Sequence, residues 1–224
     1  MLHLVLVDSE LETIPKKISS DEAIRREAGE REKSATELIL DSNYHHNSMD
    51  ELEDKGRRGR PDIVHVCMLA CLDSPLNREG LLEFCVHTRH DEVIDVDPEI
   101  RIPRSYNRFI GLMEQLFQEG GVPPDSPLME IRDMSLAEKL DRIDPEETIA
   151  FSEKGKKVHG GKVFQGFEPE DDIAVLVGGF PHGDFISDVE GLSDTQVSIY
   201  DESLDAVTVA MHAIQFYEES FGII

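Results

Sequence analysis

Tryptophan is absent from this 224-residue sequence, and aromatic residues make up only 6% of it. Cysteine occurs three times, at Cys67, Cys71 and Cys85. So odd and sparse a set excludes a disulfide framework and fits a reducing, cytoplasmic setting. Two nearby thiols do not make a zinc site, so Cys67 and Cys71, which share a helical face, are expected in the core and no metal is expected. Basic residues are also few: 22 Lys and Arg stand against 47 Asp and Glu, for a formal net charge of -25. Such a chain lacks the basic-domain footprint of an ordinary nucleic-acid binder, and most of its surface repels phosphate. There is no long apolar run. The start, Met1 to Val7, is too short to span a bilayer and lacks a basic leader and a small-residue cleavage site, so it reads as a first buried strand. GxGxxG, Walker and GxSxG sequences are all missing, which leaves dinucleotide, nucleoside-triphosphate and serine-hydrolase chemistry without support.

Against that background the few arginines are placed informatively. Lys55-Gly56-Arg57-Arg58-Gly59-Arg60-Pro61-Asp62 and Arg101-Ile102-Pro103-Arg104-Ser105-Tyr106-Asn107-Arg108 are nearly free of carboxylates. In so acidic a chain these two clusters are expected to be unpaired and reserved for an anion, of which RNA fits best. No Asp or Glu lies three or four residues from Arg104 or Arg108, so the ordinary helical ion-pair partners are missing. Arginine grips phosphate through its planar fork and stacks on bases. Contact with RNA would be confined to a small basic site.

Local patterns predict an α/β domain. The charged stretch from Asp21 to Lys33 has helical composition. Pro61 to Leu72 is a buried helix, with proline at its first position and its N-terminus at the first arginine cluster. Leu81 to His87 and Glu92 to Val96 form a hairpin about Arg89-His90-Asp91. A further helix opens at the second cluster, with Pro103 near its first turn and Gly120-Gly121 beyond its end. On it Tyr106, Phe109, Ile110, Met113, Leu116 and Phe117 face the core, while Arg104 and Arg108 face away. The runs Thr148 to Ser152, Ile173 to Gly179 and Gln196 to Tyr200 suit parallel strands buried on both faces. Gly155 to Asp172 reads as a connection, and a closing helix begins around Ser203 with Gly222 as its cap. His65 is a core residue. The adjacent His45 and His46 point in different directions and make no metal site.

Ligands of open α/β sheets bind at strand C-termini. Two loops qualify: Gly178-Gly179-Phe180-Pro181-His182-Gly183-Asp184 and Ile199-Tyr200-Asp201-Glu202-Ser203-Leu204. Glycine there lets backbone approach a ligand closely.

Several motifs, spaced in order over nearly the whole chain, resemble the nucleolar essential protein family of ribosome-biogenesis methyltransferases in the SPOUT superfamily. They are Arg57-Arg58-Gly59-Arg60-Pro61-Asp62-Ile63-Val64-His65, Leu72-Asp73-Ser74-Pro75-Leu76-Asn77, Arg101-Ile102-Pro103-Arg104 with Arg108-Phe109, Gly111-Leu112-Met113, Val177 to Gly183, and Ile199-Tyr200. The resemblance implies one SPOUT domain over residues 1–224, a parallel sheet flanked by helices with a C-terminal trefoil knot, and a family-specific extension or insertion around 41–100. It also implies an obligate homodimer that uses S-adenosyl-L-methionine to methylate N1 of a pseudouridine in small-subunit ribosomal RNA, with no membrane or DNA partner. By the same resemblance Gly178, Gly183, Ile199, Tyr200, Asp201, Glu202, Ser203 and Leu204 line the cofactor site, and the strand ending at Phe151-Ser152 lies beside it. Arg60, Arg101, Arg104 and Arg108 hold RNA, and Asp62 pairs with Arg60. The chain departs from the family pattern at Gly179, where eukaryotic members carry alanine.

N1 of pseudouridine becomes a good nucleophile only as its proton leaves. Asp62 is the best candidate for the base, and orienting Arg60 through a charge-assisted bond is its competing role. Arginine would stabilise the anion forming on the ring. Two other readings share these residues: a non-catalytic assembly factor that chaperones RNA, and a SPOUT enzyme acting on another base.

Overall fold

Residues Leu2–Ser9 form β1, every residue of which is buried. Its side chains alternate across the sheet, so an unbroken apolar run requires cover on both faces. The computed structural model describes residues 1–224 and supplies that cover. After β1 come α1 (Glu22–Glu30), the short α2 (Ser42–His45), α3 (Pro61–Cys71) and α4 (Pro75–Arg78). Then follow β2 (Leu82–Thr88), β3 (Glu92–Val96), α5 (Tyr106–Glu119), β4 (Gly121–Val122), β5 (Met129–Asp133) and α6 (Leu136–Ile143). The last third holds β6 (Glu147–Lys157), β7 (Ile173–Gly178), α7 (Val189–Leu192), β8 (Thr195–Ser198) and α8 (Ala206–Ser220).

The strands join in one sheet of order β4-β5-β3-β2-β1-β7-β6-β8. The run β2-β1-β7-β6-β8 is parallel, and β3, β5 and β4 continue it antiparallel. Leu2, Leu4 and Leu6 pack with Val64 and Met68 of α3, Phe109 and Met113 of α5, and Ile214 and Tyr217 of α8. On the other face Val5 and Val7 meet Leu136 and Leu140 of α6 and Val189 of α7. A third cluster, which includes Ile14, Ile24, Leu38 and Met49, closes the segment between β1 and α3. All three cysteines are buried and free. Burial pushes the Cys67 and Cys85 thiols up to about 12, so neither serves as a nucleophile. No helix is long and apolar enough to cross a membrane.

The expected hairpin, the helix opening at Pro61 and the parallel strands of the last third are all present. Two helices start later than the sequence pattern suggests. The Pro103 carbonyl accepts a hydrogen bond from His65 Nε2 at 2.8 Å, which holds residues 101–105 against α3, and α5 begins only after its N-cap Ser105. Arg104 therefore precedes the helix and does not share a helical face with Arg108. Likewise α8 starts at Ala206 behind its N-cap Asp205, because residues 199–205 form a loop braced by Ser198 Oγ on the Tyr200 carbonyl at 2.6 Å. Strands β4 and β5 and helix α6 had no counterpart in the pattern, although Ser135 and Glu138 form a capping box at α6.

β6 runs five residues past Ser152, to Lys157. Phe151 and Lys156 both register with Val197, so the residues between them loop out of the sheet. Gly155 returns the chain to β8, and a Cβ there would stand 2.6 Å from the backbone N and C of Val197. Gly155→Ala is expected to cost about 1–3 kcal/mol, since backbone must shift to admit the methyl group. Urea unfolding of the two proteins checks this, and equal midpoints would show that β6 is free to move away.

Candidate functional site: a cleft beside an arginine surface

The loops that follow β7 and β8 and the bulge of β6 enclose a cavity of about 430 Å³ at the C-terminal edge of the parallel strands. That volume suits a nucleoside-sized ligand. Gly178, Gly183, Ile199, Tyr200, Glu202, Ser203 and Leu204 all line it. Asp201 does not: its carboxylate turns to an ion pair with Lys157. Phe151 and Ser152 line the cleft from β6, and Phe180 and Phe185 add apolar wall. Val209 of α8 also lines it and was not legible in the sequence, because it shares its helical periodicity with core residues. Lys154 and Asp184 form an ion pair at 2.5 Å, and both border the cavity. At Gly179 a Cβ would lie 2.9 Å from Ser9 Cα, so Ser9 accounts for glycine at this position.

The first arginine cluster differs from expectation. Arg57 and Arg58 are buried and paired, not reserved for an external anion. Arg57 donates to Glu10, and Arg58 grips Glu12 in a fork at 2.8 and 2.6 Å. These carboxylates lie 47 and 46 residues away in sequence, beyond the reach of a neighbour rule. Arg89 also pairs with Glu10 at 2.9 Å, and His90 with Glu12 at 3.0 Å. Lys55 is taken by Asp50. Gly59, with φ of +67°, reverses the chain between Arg58 and Arg60, and of the three arginines only Arg60 remains near the surface.

Arg60 is the N-cap residue of α3. Its Nε and Nη2 donate to the two oxygens of Asp62, each at 2.8 Å. The hydrogen bonds it donates to Asp62, then the charge of that carboxylate, raise the Arg60 guanidinium above its ordinary value against the effect of burial. Asp41 lies close by and accepts from the Tyr106 hydroxyl. Burial and that bond together push the Tyr106 phenol well up, so it stays neutral. Tyr106 is half-buried, on the core side of α5 as its spacing predicts. Arg101, Arg104 and Arg108 are exposed and form no ion pair, unlike Arg57, Arg58, Arg60 and Arg89. His65 stacks on Phe109 at 4.4 Å, as a core residue does. His45 accepts from the Asp41 amide at 3.0 Å and pairs with Glu27, and no cluster of His, Cys, Asp and Glu could hold a metal.

A sequence model described as EMG1/NEP1 methyltransferase matches residues 4–218. The chain belongs to this methyltransferase family. Among curated EMG1/NEP1 relatives, the ribosomal RNA small subunit methyltransferase Nep1 of Pyrococcus furiosus is 48% identical over 220 residues, covering 97% of this chain and 96% of the relative. That of Methanothrix thermoacetophila is 44% identical, with the same coverage of both chains. The crystal structure of Archaeoglobus fulgidus Nep1 bound to S-adenosylhomocysteine superposes with a TM-score of 0.86 at 38% identity, covering 97% of each chain. The fold is therefore that of EMG1/NEP1 proteins over essentially the whole length.

Glu12 offers a test of the buried pairs. Burial alone would raise its carboxyl, but hydrogen bonds from Arg58 and His90 outweigh it and hold the group below its ordinary value of 4.5. A carboxyl depressed on folding contributes stability that is complete above its unfolded value and lost as pH falls through its lower folded value. Glu12→Gln is expected to lose about 3–5 kcal/mol at neutral pH, because Arg58 is left buried without its counter-charge. Urea unfolding across a pH series should show the gap between the two proteins narrowing in the acid range. A gap that holds constant down to acid unfolding would contradict the assignment.

Proposed function

We propose that the protein methylates N1 of a pseudouridine in small-subunit ribosomal RNA, with S-adenosyl-L-methionine as methyl donor, as a step in ribosome biogenesis. One observation carries the reading: the cleft and the arginine surface meet at a single residue. The Glu10 amide donates to the Gly179 carbonyl at 3.3 Å, at the start of the cleft loop, and the Glu10 carbonyl accepts from the Arg60 amide at 2.9 Å. A nucleotide gripped near Arg60 is thereby brought beside a ligand in the cleft.

The residues present fit the cofactor. The cleft combines the apolar walls of Phe151, Phe180, Ile199 and Leu204 with polar Ser152, Ser203 and Glu202. Those side chains suit a molecule that has an adenine ring at one end and charged groups at the other. S-adenosylmethionine supplies an electrophilic methyl group on a sulfonium. What the protein supplies is position, since displacement in line needs the nucleophile close and aligned. Both oxygens of Asp62 accept from Arg60, so Asp62 is placed to orient Arg60. Arg60, so held, stabilises the charge that forms on the ring as the N1 proton passes to water. Exposed Arg101, Arg104 and Arg108 hold the flanking phosphates, and a target base inside folded RNA would flip out to reach the cleft.

The reading extends to assembly and topology. β8 lies beyond β6, next to neither β7 nor β1, which supports the return crossing of a C-terminal trefoil knot. Ile186 and Tyr200 expose 52% and 53% of their surface beside the cleft, which supports a homodimer that covers them. Because β1, near the N-terminus, pairs with β7, the chain is read as one SPOUT domain with its family-specific segment within 41–100. The buried free thiols support a cytoplasmic setting.

A short RNA hairpin carrying either pseudouridine or uridine at one position tests the proposal. Methyl transfer to the pseudouridine RNA alone is expected. Transfer to both would indicate another base specificity, and tight RNA binding without transfer an assembly factor. Arg104→Ala and Arg108→Ala should each weaken hairpin binding and reduce the slope of log affinity against log salt by about one, while S-adenosylhomocysteine affinity stays unchanged. RNA binding that is indifferent to both substitutions would remove these arginines from the interface.

A further inference from the structure

Arg57 was expected to bind an anion, and the structure gives it other work. It is 8% exposed and does not line the cleft, yet it touches the loop that does, at two points. Its guanidinium lies over the Phe180 ring at 4.0 Å, and its Nη1 donates to the Asp184 carbonyl at 2.5 Å. The neighbouring Gly56 carbonyl accepts from His182 Nε2 at 2.9 Å, between those two contacts. Residues 56 and 57 thus hold the Phe180 to Asp184 loop without lining the cavity themselves. Arg57 is itself fixed from below. Its Nε donates to Glu10, which is fully buried and is also held by Arg89 at 2.9 Å, with Arg89 in turn on Asp54 at 3.2 Å. The remaining nitrogen, Nη2, is buried without a hydrogen-bond partner in the protein. A guanidinium that leaves a buried donor unpaired is not placed to maximise its own bonding. Its orientation answers instead to Glu10, Phe180 and Asp184 together.

We infer that Arg57, anchored on Glu10, is a positioning residue that sets the Phe180–Asp184 wall of the cofactor cleft without touching the cofactor. The inference rests on the proposal that the cleft takes S-adenosylmethionine. The chemistry demands arginine: a planar fork donates in two directions while its face lies on an aromatic ring, whereas a lysine ammonium is a point charge that serves one partner at a time. A loop wall displaced by an ångström lowers cofactor affinity far more than it alters RNA contacts made elsewhere.

The test compares wild type with Arg57→Lys, using S-adenosylhomocysteine titration calorimetry, hairpin binding and initial rates. The lysine variant is expected to raise the Kd for S-adenosylhomocysteine and the KM for S-adenosylmethionine about tenfold or more, with kcat at saturation and hairpin affinity within about threefold. S-adenosylhomocysteine affinity within about twofold of wild type would overturn the inference. Parallel losses of thermal stability, cofactor affinity and RNA affinity would also overturn it, because they mark a general structural role. If the variant fails to fold, hydrogen exchange on wild type decides. S-adenosylhomocysteine should protect the amides of residues 56–58 together with those of 180 and 182–184, and protection of the cleft loop alone would refute the link. Wild type that binds no S-adenosylhomocysteine would defeat the cofactor reading itself, and this inference with it.

Discussion

The structure turns on two carboxylates placed immediately beyond the central strand. Glu10 and Glu12 follow β1, and both are buried. A buried carboxylate without a counter-charge is strongly destabilising, so these positions compel partners. The partners come from two other loops: Arg57 and Arg58 ahead of α3, and Arg89 and His90 in the hairpin after β2. Folding those loops onto Glu10 and Glu12 also fixes the Arg60 amide, which donates to the Glu10 carbonyl at 2.9 Å. Apolar residues of similar volume would have held the loops as firmly. Hydrogen-bonded charge adds direction, because a fork on a carboxylate admits one orientation where an apolar contact admits many.

That arrangement explains how a chain of net charge -25 offers a site to a polyanion. Interior carboxylates pair with interior arginines, leaving the exposed, unpaired Arg101, Arg104 and Arg108 on a separate segment. His65 pins the Pro103 carbonyl, and so keeps Arg101 and Arg104 on an extended stretch outside α5, where a helical neighbour cannot neutralise them. At physiological ionic strength screening acts over about 8 Å, so surface acids farther away than that contribute little to the potential at these arginines.

Much of this was legible in the sequence, and the failures share a cause. Continuous apolar runs reported the parallel strands, because burial on both faces leaves a one-dimensional trace. Proline at position 61 marked the start of α3, and the motifs of the strand-end loops marked the cleft. Arg57 and Arg58 misled because the sequence shows only near neighbours, whereas their partners arrive through the fold. The late starts of α5 and α8 have the same origin: His65 and Ser198 capture carbonyls that helical propensity alone would have spent inside a turn. α6 was missed although its Ser135–Glu138 capping box stands in the sequence, and β5 is a short strand in which Met129 alone is fully buried, too brief to show an alternating pattern.

One local sequence, Arg57-Arg58-Gly59-Arg60, therefore carries two functions that composition cannot separate. Gly59 is the point of division. At φ of +67° it turns the chain, and a Cβ there would meet the Ser42 amide nitrogen at 3.0 Å. A residue with a side chain would face both strain and a close contact. Before the turn the arginines point inward, Arg57 to Glu10 and the Asp184 carbonyl and Arg58 to Glu12, and after it Arg60 emerges nearer the surface, paired with Asp62. The contact with the cleft loop and the exposed Arg60–Asp62 pair thus come from neighbouring residues of one segment, divided by one glycine. For a reaction in which alignment carries much of the acceleration, a short rigid link between the two binding sites is the economical way to keep donor and acceptor in register.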